Sequence, residues 1–306
     1  MDSPAKRPGS EPGAPPARKS WRLSSRARSN FGLYGGASLI VGYLSIIVLI
    51  PIAAVAAHGF SFTVHTQGWG AAFWHWHLSA GFGIFWRDIT QPAAISAIRL
   101  SLWLSLSVAA VNAVMGVAIA RVLVRDKFPG KWILEAFIDL PFALPTIVVG
   151  VVLLFLYGTA SPLKVNLFET WMGLMVALSF VTLPFSVRAV QPVLASLDGE
   201  SEAAAKSLGA GGIRTFLWVV LPSLWPAVLG GFGLAFARAI GEFGSISLIA
   251  GGIGRTTTAS SYIYNLTQGF LWTNAAAVST ALLVLSLLIL IATNVVARRI
   301  QRRLAS

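Results

Sequence analysis

The sequence predicts an all-α, polytopic membrane protein with six transmembrane helices, and three observations carry that prediction. Of 306 residues, 56% are hydrophobic and only 11% are charged, against roughly a quarter charged in an ordinary soluble domain. The apolar residues gather in runs close to the roughly 20 residues a helix needs to cross the hydrocarbon. The basic residues cluster beside those runs, as membrane topology requires.

Residues 1–30, MDSPAKRPGSEPGAPPARKSWRLSSRARSN, are rich in Pro, Ser and basic residues and offer little to bury, so a disordered basic cytoplasmic tail is expected there. The membrane domain is expected over residues 31–298, with spans at about 31–57, 93–123, 133–157, 171–192, 226–250 and 275–297. The first run is longer than a signal-peptide core and lacks a convincing cleavage site, which favours an uncleaved span. Pro51 interrupts the first span, Pro141 and Pro145 the third, and Pro184 the fourth. Kinks with freed carbonyls follow, and these are tolerated where the backbone faces protein or a water-filled cavity. The glycines of GGFGLAFARAIGEFGS let helices pack closely. Residues 299–306 form a short basic cytoplasmic end.

Orientation follows from Lys and Arg. One face receives Lys6, Arg7, Arg18, Lys19, Arg22, Arg26 and Arg28 of the tail, the loop with Arg121, Arg125, Lys127 and Lys131, then Arg188, Lys206 and Arg214, and finally Arg298, Arg299, Arg302 and Arg303. The opposite face receives only Arg87, Lys164 and Arg255. Both termini and the 193–225 loop are therefore expected in the cytoplasm. The same distribution assigns the formal net charge of +12 to membrane topology and lipid, not to nucleic acid.

Several chemistries are excluded. The chain has no cysteine, hence no disulfide, thiolate metal site or cysteine nucleophile. It carries no G-x-x-x-x-G-K-[ST] loop, because Gly130-Lys131 is followed by tryptophan. Neither a nucleophile elbow nor H-E-x-x-H occurs, so no catalytic residues are assigned. His75 and His77 sit among Trp74 and Trp76 without a nearby Cys, Asp or Glu, and interfacial anchoring explains the cluster better than a metal.

Between two apolar spans lies SEAAAKSLGAGGIRTFLWVVLP, residues 201–222. Asp198 is a natural N-cap, and Glu200 and Glu202 occupy the first turn, where carboxylates favour the helix dipole. Lys206 falls in the last turn, and Gly209 is placed to adopt the left-handed cap. A second helix is expected from near Ile213 to Pro222, where proline ends it or kinks it into the fifth span. The product is a short helical hairpin over about residues 198–222, with Ala203, Ala204 and Ala205 on a small face. These features fit either a projecting handle or an amphipathic loop lying on the membrane.

The segment resembles the coupling loop of bacterial ABC importer permeases, whose pattern is E-A-A, three residues, G, nine residues, I, one residue, L-P. Ala204, Ala205, Gly209, Leu221 and Pro222 match, and Val219 stands for the isoleucine. The pattern's glutamate position falls on Ala203, with Glu202 one residue earlier. The resemblance implies the type I importer permease fold and a hairpin that docks in a groove on a separate cytoplasmic ATPase. That partner would use ATP and Mg, and this chain would bind no cofactor itself.

Residues 93–297 contain AISAIRLSLWLS, DLPFALPTIVVGVVLLFLYG, FVTLPFSVRAVQPVL and LAFARAIGEFGSISLIAGG. Together they resemble the sulfate/thiosulfate importer permeases of the T type and are similar to the molybdate permeases. The resemblance implies a bacterial inner-membrane complex with a W-type second permease subunit, two copies of an ABC ATPase and a periplasmic sulfate-binding protein.

The intramembrane charges bear on what is carried. Arg99, Arg188, Arg238, Glu135, Asp139 and Glu242 lie in or beside apolar runs, where each charge costs at least about 2.5–3.5 kcal/mol. Arg238 and Glu242 stand at i and i+4, so mutual neutralisation explains that pair. Alternatively, arginines line a path for a doubly charged oxyanion, with Arg238 the first candidate for depth in its span and Arg99 the second. Asp139, Pro141 and Pro145 of DLPFALP either line that path, act as hinges, or are purely structural. A molybdate or tungstate permease is the nearest alternative, and a passive anion channel or carrier a more distant one.

Overall fold

The computed structural model describes residues 37–60, 78–197, 199–251 and 254–305. The expected tail and the histidine cluster lie outside the described residues. Among the described residues every regular element is helical: α1 (Ala37–Gly59), α2 (Leu78–Ile89), α3 (Pro92–Arg125), α4 (Lys131–Ala143), α5 (Thr146–Tyr157), α6 (Trp171–Ser196), α7 (Glu200–Ser207), α8 (Gly212–Ile240), α9 (Gly244–Ser247), α10 (Ala259–Gln268) and α11 (Trp272–Ala305). Five of these, α1, α3, α6, α8 and α11, are long and apolar enough to span a membrane.

The chain divides into two units, Met1–Ala53 and Ala54–Ser306. In the first, the described part of α1 exposes nearly all of its side chains, Leu39 at 76% and Ile46 at 65% among them.

In the second unit, α3, α6 and α8 pack against one another and α11 packs along α8. Pro92 opens α3 in its first turn, where the missing N–H has no intrahelical role. Thr170 caps α6 by accepting from the Gly173 amide at 3.1 Å. Ala113, Val117 and Ala120 of α3 meet Val190 and Leu194 of α6 and Leu224 and Val228 of α8 in one apolar cluster. A second cluster joins Leu104 and Val108 to Val149, Leu153, Leu174 and Leu178. The helices approach closely at Gly116, where an added Cβ would stand 2.8 Å from the Ser186 Cβ. Polar groups in this interior are paired across helices: the Asn112 amide donates to the Thr182 hydroxyl at 2.8 Å and to the Ser179 carbonyl at 3.0 Å.

One expected span is sharply broken at its prolines and another is shifted. Residues 133–157 do not form one helix but the pair α4 and α5, bent by 115°. The break falls at Leu144 (φ −89°, ψ 133°), because the residue before a proline is driven out of the helical region, and Pro145 then caps α5. Pro141, by contrast, is buried inside α4 without ending it. The fifth span is shifted: the helix runs from Gly212 to Ile240, not from about residue 226 to 250.

Candidate functional site

Two groups of residues stand out, the hairpin at one end of the bundle and the charges within it. The hairpin begins at Gly199, which is the N-cap of α7; Asp198, the expected cap, lies outside the described residues. Glu200 and Glu202 occupy the first turn of α7 and Lys206 the last, an order that follows the helix dipole. Gly209 adopts φ +85° as expected. Its amide donates to the Lys206 carbonyl at 2.9 Å and the Ala210 amide to the Ala205 carbonyl at 3.0 Å, the paired bonds of a Schellman cap.

Of the two outcomes expected at Pro222, an end or a bend into the fifth span, the second helix takes continuation. Starting at Gly212 it passes Pro222 without a stop and continues into the bundle as α8. Residues Phe216–Val220 form one π turn, and the Leu221 amide reaches back to the Phe216 carbonyl. That wide turn displaces the carbonyl a proline ring would strike in an α-helix. The hairpin therefore shares a continuous helix with a membrane-spanning segment.

Its two faces differ. Ala203 and Ala204 are exposed while Glu202 and Ala205 are half-buried. Leu208 (88% exposed) and Ile213 (78%) extend the outer face with apolar side chains. The sequence reading missed both; the signal was a pair of large hydrophobics bracketing a glycine turn. On the inner face, Glu202 pairs with Arg125 at the end of α3, 2.7 Å away. The Arg121 guanidinium lies over the Phe216 ring, 5.1 Å from its centroid.

Within the bundle, Arg188 grips Asp139 with both arms of its guanidinium, Nε donating at 2.9 Å, and Nη1 donates to the Gln191 side-chain Oε1 at 2.6 Å. The sequence reading held Asp139 and Arg188 as separate candidates and missed Gln191; the partners lie 49 residues apart, beyond any local spacing rule. Arg238 and Glu242 form the expected ion pair. Glu242 lies past the end of α8, is 2% exposed, and accepts the Ser245 amide at 2.9 Å, which caps α9. Arg99 is exposed on α3, and among the described residues it makes no ion pair. Asp139 and Pro141 lie in α4 before the break and Pro145 directly after it, so α4 is fastened to α6 through Arg188.

The family match and the shared fold make this chain a membrane permease component of a transport system. A family described as binding-protein-dependent transport system inner membrane component matches residues 112–306, and the chain belongs to it. The sulfate transport system permease protein CysT of Escherichia coli (strain K12) is 35% identical over 288 residues, covering 92% of this chain and 97% of that one. CysT of Salmonella typhimurium (strain LT2) is 34% identical over the same length and coverage, and that of Synechocystis sp. is 37% identical over 260 residues, covering 82% and 85%. Among solved structures, a bacterial ABC transporter that imports the acidic polysaccharide alginate shares the fold at a TM-score of 0.69, with 17% identity, over 91% of this chain and 99% of that one. The inward-facing MetNI methionine ABC transporter matches at a TM-score of 0.53, with 18% identity, over 69% and 99%.

Proposed function

We propose that the chain is the T-type permease subunit of an ATP-driven importer for sulfate and thiosulfate. The observation that carries the substrate is the identity of 34–35% to two CysT sulfate permeases over 92% of this chain. The observation that supports ATP coupling is the hairpin: an apolar outer face on Ala203, Ala204, Leu208 and Ile213, continuous through α8 with the bundle. In this reading both termini and α7 face the cytoplasm, as the basic clusters direct. Two copies of an ABC ATPase bind ATP and Mg, a W-type subunit completes the path, and a periplasmic sulfate-binding protein delivers the ion.

Closure of the ATPase pair pulls α7 and α8 together, because no flexible joint separates the hairpin from the span. The anion meets guanidinium groups, which stay charged and present several donors, at sites weak enough to release it. Arg238 is committed to Glu242 and Arg188 to Asp139. Arg99 is the better candidate for direct contact with the ion.

The test is labelled sulfate uptake in cells with and without this gene, with excess thiosulfate or molybdate as competitor. Loss of uptake on deletion, with competition by thiosulfate and not molybdate, is expected. Undiminished sulfate uptake in cells lacking other sulfate importers overturns the substrate and moves it to molybdate or tungstate.

A further inference from the structure

Arg125 is the last residue of α3, and its guanidinium joins three elements. Nη2 reaches Glu202 of α7 at 2.7 Å and donates to the Leu197 carbonyl, just past α6, at 3.2 Å. The side chains are only 28% and 21% exposed, and they border a cavity of about 60 Å³ with Leu194 and Phe216. Among the described residues Arg125 Nε is buried with no hydrogen-bond partner, so Nη2 carries the two contacts that tie this guanidinium to α7 and the end of α6.

Glu202 faces away from the outer surface of the hairpin. It points inward, whereas the neighbouring position, where the coupling-loop pattern has glutamate, is the exposed Ala203. A carboxylate engaged at 2.7 Å on the inner face is not available to a partner on the outer one.

We propose that Glu202 is a positioning residue: through Arg125 it hands displacement of α7 to the ends of α3 and α6, while contact with the ATPase falls to the apolar outer face. This rests on the ATP-coupled reading above. The link gives a push on one short helix a second, polar and directional route to the ends of two spans, beside the apolar packing of α8 against the same helices. Because the pair is partly shielded from water, breaking it removes a directional constraint and not merely a screened surface attraction.

The test uses the complete complex, permease chains, ATPase and binding protein, in proteoliposomes. E202Q, R125Q and the double variant are compared for ATPase retained on purification and for sulfate moved per ATP hydrolysed. Each single variant is expected to retain the ATPase and to lower sulfate per ATP by about fivefold or more. The double is expected to be no worse than either single, and the exchange of R125E with E202R to recover most of the loss. Where R125Q does not accumulate, R125K takes its place, since it keeps the charge without the forked reach. Loss of ATPase from E202Q alone, or additive losses in the double, overturns the proposal. A wild-type complex that retains no ATPase overturns the coupled reading instead, so the two failures are distinguishable.

Discussion

Gly209 holds a left-handed backbone, φ +85°, and, its chain neighbours apart, no described atom lies within 4 Å of where a Cβ would be. The position therefore demands glycine for conformation, and a side chain there costs about 1–2 kcal/mol. Gly209→Leu is expected to loosen the hairpin and uncouple transport, seen as faster proteolytic cleavage near residue 209 together with lost uptake; Gly209→Asn, which tolerates this conformation, is expected to show little of either. Arg238 makes a different case. Its removal strands Glu242, which is 2% exposed, and breaking such a pair costs about 3–5 kcal/mol. Arg238→Ala should therefore lower the amount of assembled protein as well as uptake, whereas Arg99→Gln should lower uptake with assembly intact. Membrane abundance measured beside transport separates the two. The i,i+4 pair was legible because spacing alone brings its members together. The Asp139–Arg188 clamp and the inward turn of Glu202 were not, since both depend on how separate helices pack.

At the scale of elements, hydrophobic runs and their flanking charges located five spans, because lipid leaves a helix few alternatives. The boundaries went astray where proline acts through its local context. Pro145 breaks the chain by 115°, Pro141 sits quietly within α4, and Pro222 is accommodated after a π turn. No composition rule distinguishes these three. Pro145→Ala is expected to let residues 131–157 straighten, lengthening the distance between spin labels at residues 135 and 155 and reducing uptake. An unchanged distance assigns the bend to packing against α6, through Asp139 and Arg188, rather than to proline. Gly116 is a second element-scale determinant. Gly116→Val pushes α3 off α6 at Ser186, and overpacking of this kind costs about 1–3 kcal/mol, to be read as lower thermal stability of the purified chain.

For the whole molecule, the question is what covers the surface that the bundle leaves open. Ile95, Trp103, Leu106 and Val114 lie with Arg99 along one exposed strip of α3. Arg99 stands about 10 Å along that helix from Pro92, by the rise of 1.5 Å per residue. A guanidinium with no ion pair among the described residues costs, at such a depth, about 2.5–3.5 kcal/mol against hydrocarbon, so the strip is expected to face water and a second permease chain rather than lipid. The absence of cysteine makes this directly measurable, since Arg99→Cys introduces a single thiol. In the assembled transporter that thiol is expected to react with a water-soluble anionic reagent and to be protected by sulfate, while a thiol at Leu39, on the exposed face of α1, reacts only with lipid-soluble reagents. Reaction of the residue 99 thiol with lipid-soluble reagents alone places the strip in the bilayer and removes Arg99 from the anion path. Aqueous reaction with no protection by sulfate keeps the water but assigns the ion another route, leaving Arg188 and Gln191 beside the α4–α5 break as the next groups to substitute.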